Sequence, residues 1–356
     1  HQSIAGGVLI AVILVIRSFT IYRLPKAVFK VLWIVAAARL LLPFSIPSRF
    51  SLYSFIRKLA DSDTEKLVSS VSQNNTGIKP QYAPLLQGIF PAVSGSAAKE
   101  ESFLSLPQIC YLAGLCLLAA CFLVSYIRCQ QKFREAIPTK HSAVQEWLKE
   151  IAAGLQKVPV SRRRIIDRCL KKRASKISVR VSDQISAPLT YGTIFPVILL
   201  PKRMDWNDGR TIQYILDHEY NHILHFDALN KIILAVILCI HWFNPIVWVM
   251  YFLANRDMEL YCDEAVVRKG KKETRESYAL SLLHMEEVRK LSFSLYSYFS
   301  KNKMEERIVA IMKIKKNSIL SLTFAAALVA GTTTLFATSA LAEDSTEAFQ
   351  AGIKSK

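Results

Sequence analysis

Charge is scarce in this chain. Only 21% of its 356 residues are Asp, Glu, Lys or Arg, against 51% hydrophobic. That apolar content excludes an intrinsically disordered chain. It also argues against an ordinary soluble enzyme, because several uncharged runs are long enough to cross a bilayer. Acidic residues are the scarcer sign, 28 against 46 basic, for a net charge of +18. Such an excess points to nucleic acid or to an anionic membrane surface, depending on where the charges sit. No C-x-x-C pair occurs among the seven cysteines, which argues against a zinc knuckle and a disulfide framework. Four of them, Cys110, Cys116, Cys121 and Cys129, lie in or beside one apolar run, where Cys behaves as a small hydrophobe. Internal repeats and low-complexity tracts are lacking too. The chain begins at His1 instead of Met, which implies that an upstream piece is missing or processed.

Four apolar segments read as membrane spans: Ile4 to Tyr22, Val31 to Ile46, Ile109 to Ile127 and Ile319 to Leu341. Arg17 in the first is expected to snorkel to an interface. Arg39 in the second is costly in lipid and is expected to face protein. Between the second and third spans, residues 47–108 hold 6 Lys+Arg and 5 Asp+Glu, whereas residues 128–316 hold 33 and 20. Basic residues flank the spans on the second side: Arg128, Lys132 and Arg134, then Lys313, Lys315 and Lys316. The positive-inside rule then puts the N-terminus outside. The expected order is two spans in 1–46, an extracellular loop over 47–108, a third span at 109–127, a cytoplasmic domain over 128–316, a fourth span within 317–341, and a short extracellular tail over 342–356. Lys313 to Ala342 also has the form of a signal peptide with an A-x-A cleavage site; a retained span is the reading adopted.

The cytoplasmic part is expected to be mainly helical, with a few strands. Ser142 to Val158 is amphipathic, and Ile177 to Ser182 alternates as a strand does. Leu189 to Leu200 is strand-like, and its internal proline implies an edge position. Such an edge suits the gripping of an extended peptide. The basic run Arg162 to Lys176 reads as a solvated or headgroup-facing helix, since no DNA-reading motif accompanies it. No direct nucleic-acid contact is expected.

The chemistry concentrates in His218-Glu219-Tyr220-Asn221-His222, an H-E-x-x-H pattern in a helical stretch. Four residues are about 400° of helix, so both imidazoles share one face and can reach one Zn²⁺. Glu219 is placed to hold a water beside that metal and to take its proton as general base. A catalytic zinc needs a third protein ligand and an open position. The metzincin continuation to a third His is absent. Two candidates remain. One is Glu259, with Asp263 at i+4 orienting a ligand His through its free ring nitrogen. The other is His225, on the same face as His218 and His222.

Between these parts, Ile232 to Ala254 looks like a fifth span, which would put Glu259 across a bilayer from His218 and His222. Asn244-Pro245 breaks it into halves of roughly a dozen residues, too short to span. A helical hairpin that returns Glu259 to the two imidazoles is expected. Tyr278 and His284 are candidates, by position alone, for donating to the oxyanion of a transition state.

Taken together, these segments resemble the BlaR/MecR-type antirepressor membrane metallopeptidases. The resemblance rests on Arg39 to Phe44, Pro188 to Pro201 with Gly192, His218 to His222, His241 to Pro245, Met258 to Ala265 and Glu305 to Ile308. It implies a multi-span α-helical membrane protein of the bacterial cell membrane. Its cytoplasmic, mainly helical α+β domain would be a zincin of the gluzincin type. His218, His222 and Glu259 would be its zinc ligands, and Glu219 its catalytic base. The implied substrate is a cytoplasmic repressor, in antibiotic or envelope-stress signalling. Self-cleavage before the last span is also implied, with Ser292–Phe293 as the candidate bond. The expected partners are that repressor, the lipid bilayer and a second copy of the chain. The best-known members carry an extracellular penicillin-binding sensor after the last span, and only 14 residues follow Ala342 here. The alternative is a non-proteolytic signalling receptor or scaffold with a structural zinc.

Overall fold

The computed structural model describes residues 2–42, 46–47, 105–156, 176–270, 274–290, 297–314 and 318–339. Most of the basic run 162–176, most of the loop 47–108 and the Ser292–Phe293 bond lie outside the described residues. The chain divides into two compact units, residues 1–43 with 114–332, and residues 44–113 with 333–356.

The first unit begins with two apolar helices, α1 (Gln2–Thr20) and α2 (Lys26–Leu41). Helix α3 (Leu106–Arg134) straddles the two units. Helices α1 and α3 are long and apolar enough to cross a membrane. Helix α2 has 16 residues and stops at Leu41, short of the Val31 to Ile46 span expected. Arg17 does not snorkel. It is partly buried and chelates the buried Asp257 through Nε and Nη2, at 2.7–3.0 Å. Two-point pairing of this kind offsets the loss of water around both charges.

A four-stranded sheet follows, in the order β2-β3-β5-β4, from β2 (Ile137–Pro138), β3 (Ser178–Ser182), β4 (Leu189–Tyr191) and β5 (Val197–Pro201). The proline-containing stretch is therefore two strands. Central β5 is buried along its whole length, and β4, paired antiparallel to it, is the edge. Gly192 makes the turn between them with φ +85°, where a Cβ would collide with the Phe195 carbonyl oxygen and where only glycine sits without strain.

Ile198 and Leu200 of β5 join Val144 and Trp147 of α4 (Ser142–Gln156) and Ile212, Ile215, Leu216 and Ile223 of α5 (Gly209–Leu224) in one core. That spacing gives α5 one apolar stripe. Asp208 caps the helix, accepting from the Arg210 and Thr211 amides, which are two of its orphan donors.

Phe226, at φ 55°, bends the chain after α5, and α6 (Asp227–Ile240) leaves at an angle of 56°. The apolar stretch breaks at Asn244-Pro245. Asn244 caps the Ile246 amide, and Pro245 occupies the first turn of α7 (Pro245–Lys269), where its missing N–H costs nothing. Helix α7 packs against α1, α2, α5 and α6, and also against α8 (Thr274–Lys290) and α9 (Ser297–Met312). A last apolar helix, α10 (Ile319–Ala337), ends before the Leu341 boundary expected for it.

In the second unit, the described residues include a short parallel pair, Ile46–Pro47 (β1) with Thr338–Ser339 (β6).

Candidate metal centre

Helix α5 turns His218, Glu219 and His222 inward, where all three are buried. Helix α7 delivers Glu259 beside them. The two Nε2 atoms lie 3.2 Å apart, and Glu259 Oε2 is 3.4 Å from His218 Nε2 and 3.6 Å from His222 Nε2. Tetrahedral donors bound to zinc at roughly 2.0–2.1 Å lie about 3.3–3.4 Å from one another. The triangle therefore has the size of three zinc ligands.

The opposite nitrogens carry the argument further. His222 Nδ1 is 2.8 Å from Asp227 Oδ2, and His218 Nδ1 is 3.2 Å from Asp263 Oδ1. Each carboxylate selects the Nδ1–H tautomer of its ring. Both Nε2 lone pairs then point into the same small space, next to a carboxylate oxygen. Such an arrangement calls for a cation. Burial alone would push both imidazoles down in pKa. Asp263 and Glu259 outweigh it for His218, and Glu259 and Asp227 outweigh it for His222, so both rise. Burial would raise Glu259, but His222, His218 and Lys231 hold it well below the usual carboxylate range. The residues present fit a divalent metal with imidazole and carboxylate donors.

A second group, His222, Asp227 and Cys262, is also close enough to share an ion. Its chemistry is poorer. Burial pushes the Cys262 thiol up to about 11, which keeps it protonated. Both oxygens of Asp227 are already engaged, one by His222 and one by Lys30. All three side chains are buried, so no position stays open for a substrate.

Several contacts around the triangle are not apparent from the sequence pattern. Arg307 of α9 grips Asp263 with two bonds, from Nε at 2.8 Å and Nη2 at 2.7 Å. Thr190 of edge strand β4 donates to Glu219 Oε2 at 2.7 Å. Lys30 of α2 reaches Asp227 at 2.6 Å. The only sequence hint of Arg307 is its place in the Glu305 to Ile308 segment.

The Tyr278 hydroxyl donates to Asp263 at 2.7 Å and sits 3.0 Å from His218 Nδ1. It lies on the side of the ring away from the Nε2 atoms, where it helps to hold His218, and it also lines the cleft that contains Glu219 and Glu259. His284 lines a neighbouring cavity of about 490 Å³, outside the cleft of about 130 Å³ that contains His218, Glu219 and Glu259. His225 is not in the triangle, because its nitrogens meet the Asn221 carbonyl and the Tyr261 hydroxyl.

Comparison with known proteins gives the family. The family model described as BlaR1 peptidase M56 matches residues 1–311. The chain belongs to that family. Membership implies a metallopeptidase. Regulatory protein BlaR1 of Bacillus licheniformis is 30% identical over 149 residues, 41% of this chain and 25% of the relative. Methicillin resistance mecR1 protein of Staphylococcus aureus is 21% identical over 276 residues, 77% of this chain and 43% of the relative. A second BlaR1, from Staphylococcus aureus, is 27% identical over 157 residues, 42% of this chain and 26% of the relative. The matches thus span from a quarter to less than half of the relatives' own lengths.

Proposed function

We propose that the chain is a membrane-embedded zinc endopeptidase of the gluzincin type, with His218, His222 and Glu259 as ligands and Glu219 as general base. The observation that carries this reading is the 3.2–3.6 Å triangle of two lone-pair-bearing Nε2 atoms and one carboxylate oxygen. A structural zinc normally has four protein ligands and no open side. Here three converge, and the cleft leaves the fourth direction to a substrate.

When bound, the zinc supplies Lewis-acid activation of water and of the peptide carbonyl. The chain's own residues do the rest. The Glu219 carboxylate accepts a proton from the attacking water and returns it to the departing amine as the C–N bond breaks. Thr190 holds Oε2 of Glu219, which leaves Oε1 for that proton. The same threonine ties the base to edge strand β4, whose outer N–H and C=O groups suit an extended peptide. Asp263 and Asp227 set the Nδ1–H tautomer of the two imidazoles and fix their direction, which leaves each Nε2 to the metal.

The substrate in this reading is a cytoplasmic protein, with a transcriptional repressor favoured by the BlaR1 and mecR1 relatives. Self-cleavage at Ser292–Phe293 is part of the same reading. The proposed placement puts the N-terminus and the 47–108 loop outside, four spans in the membrane, and the 128–316 domain in the cytoplasm. The basic residues flanking α3 support that orientation. The test is quantitative proteomics on cells with wild-type protein or Glu219→Gln. Repressor and 292–293 fragments seen only with the wild type support the proposal. The same fragments from both strains contradict it.

A further inference from the structure

Lys30 sits in the first turns of α2. Its ammonium is 2.6 Å from Asp227 Oδ1 and 3.3 Å from the His225 carbonyl, and it lies over the Tyr261 ring at 5.3 Å. The other oxygen of Asp227 accepts from His222 Nδ1 at 2.8 Å. Asp227 is 1% exposed. One carboxylate thus has one oxygen on an imidazole of the metal centre and the other on a lysine 197 residues earlier in the chain.

We propose that Lys30 is a positioning residue of the metal centre, acting through Asp227 on His222, so that the α1–α2 hairpin completes the site. This rests on the metal-centre reading given above. The physical reason is compensation. A carboxylate without solvent must be paired, or it turns away from its place. Asp227 turned away no longer accepts the Nδ1–H bond that keeps the His222 Nε2 lone pair aimed at the ion. Neutral variation at Lys30 thus reaches the ion without touching a ligand. Any shift of α2 relative to α6 stretches the same bond, which gives the hairpin a direct hold on metal affinity.

The test uses the full-length chain in detergent micelles and measures zinc affinity by competition with a chromophoric chelator. Partners that orient metal-binding histidines typically contribute 10–100-fold in affinity. Lys30→Met is expected to weaken zinc binding by roughly that factor, and Lys30→Arg to retain most of it. Asp227→Asn is expected to weaken it comparably, and the double variant Lys30→Met/Asp227→Asn to be no weaker than Asp227→Asn alone. The metal-free melting temperature is followed in parallel. If Lys30→Met alone fails to fold, the double variant is expected to recover folding, because removing both charges relieves the uncompensated carboxylate. Zinc affinity of Lys30→Met equal to the wild type, additive losses in the double variant, or no recovery of folding overturns the inference. A wild-type chain that binds no zinc overturns the metal-centre reading and this inference with it.

Discussion

Arg307 closes on Asp263 with two parallel hydrogen bonds, and Asp263 in turn faces His218 Nδ1. Each imidazole of the centre is therefore held by a carboxylate that is itself held by a cation: Arg307–Asp263–His218 on one side and Lys30–Asp227–His222 on the other. Burial would raise Asp263, but Arg307 and His218 hold it well below the usual carboxylate range.

Removing Arg307 leaves a carboxylate with 1% exposure uncompensated. Breaking a buried ion pair by deleting one partner costs about 3–5 kcal/mol. Arg307→Met is expected to lose stability of that order in chemical unfolding of the purified chain. Its zinc affinity is also expected to fall. Arg307→Lys is expected to lose less stability but not to restore the two-point grip, because an ammonium cannot reproduce the planar fork.

Thr190→Val removes the hydroxyl that fixes Oε2 of Glu219 while leaving the strand and the ligands in place. Peptidase turnover, measured on a quenched fluorescent peptide, is expected to drop about tenfold, with bound zinc unchanged. Glu219→Gln is expected to abolish turnover with zinc retained. Full turnover in Thr190→Val would show that the base needs no such anchor.

Gly192 has φ +85°, and its Cβ position is filled by the Phe195 carbonyl. Gly192→Ala is expected to destabilise the β4–β5 turn by about 1 kcal/mol or more. Because β4 carries Thr190, turnover is expected to fall with it. The measurement is a pair of readouts on one preparation, melting temperature and peptide cleavage.

Asp208 caps α5, and the Thr211 hydroxyl and amide lower its carboxyl pKa. A folded value below the unfolded one means that the stabilisation is present above the unfolded pKa, near about 3.9. It is lost as pH falls through the folded value. Asp208→Ala is expected to cost about 1 kcal/mol at neutral pH. The gap to the wild type is expected to close as the wild-type cap protonates. Unfolding curves at a series of pH values check both statements.

Legibility in the sequence followed the range of the interaction. The His218/His222 pair was visible because four residues of helix fix its geometry without any help from the fold. The break at Asn244-Pro245 was visible because proline acts on its own neighbours. The strand at 178–182 was visible from its alternation. What escaped is long-range pairing. Arg17 meets Asp257 across 240 residues, and Lys30 meets Asp227 across 197. No periodicity encodes such partners, so Arg17 read as an interfacial residue. Tyr278 was picked out by position, but its bond to Asp263 was not legible, because that contact depends on the packing of α8 on α7. The edge strand was expected in the right segment. The proline rule placed the edge along the whole stretch, whereas the turn at Gly192 confines it to Leu189–Tyr191.

X-ray absorption at the zinc edge, on the purified full-length chain, tests the central claim most directly. Two imidazole nitrogens and carboxylate or water oxygen at roughly 2.0–2.1 Å, with no sulfur, are the result expected for His218, His222 and Glu259. A sulfur scatterer at about 2.3 Å would put the ion on Cys262 instead, and a chain that holds no zinc would contradict the account outright.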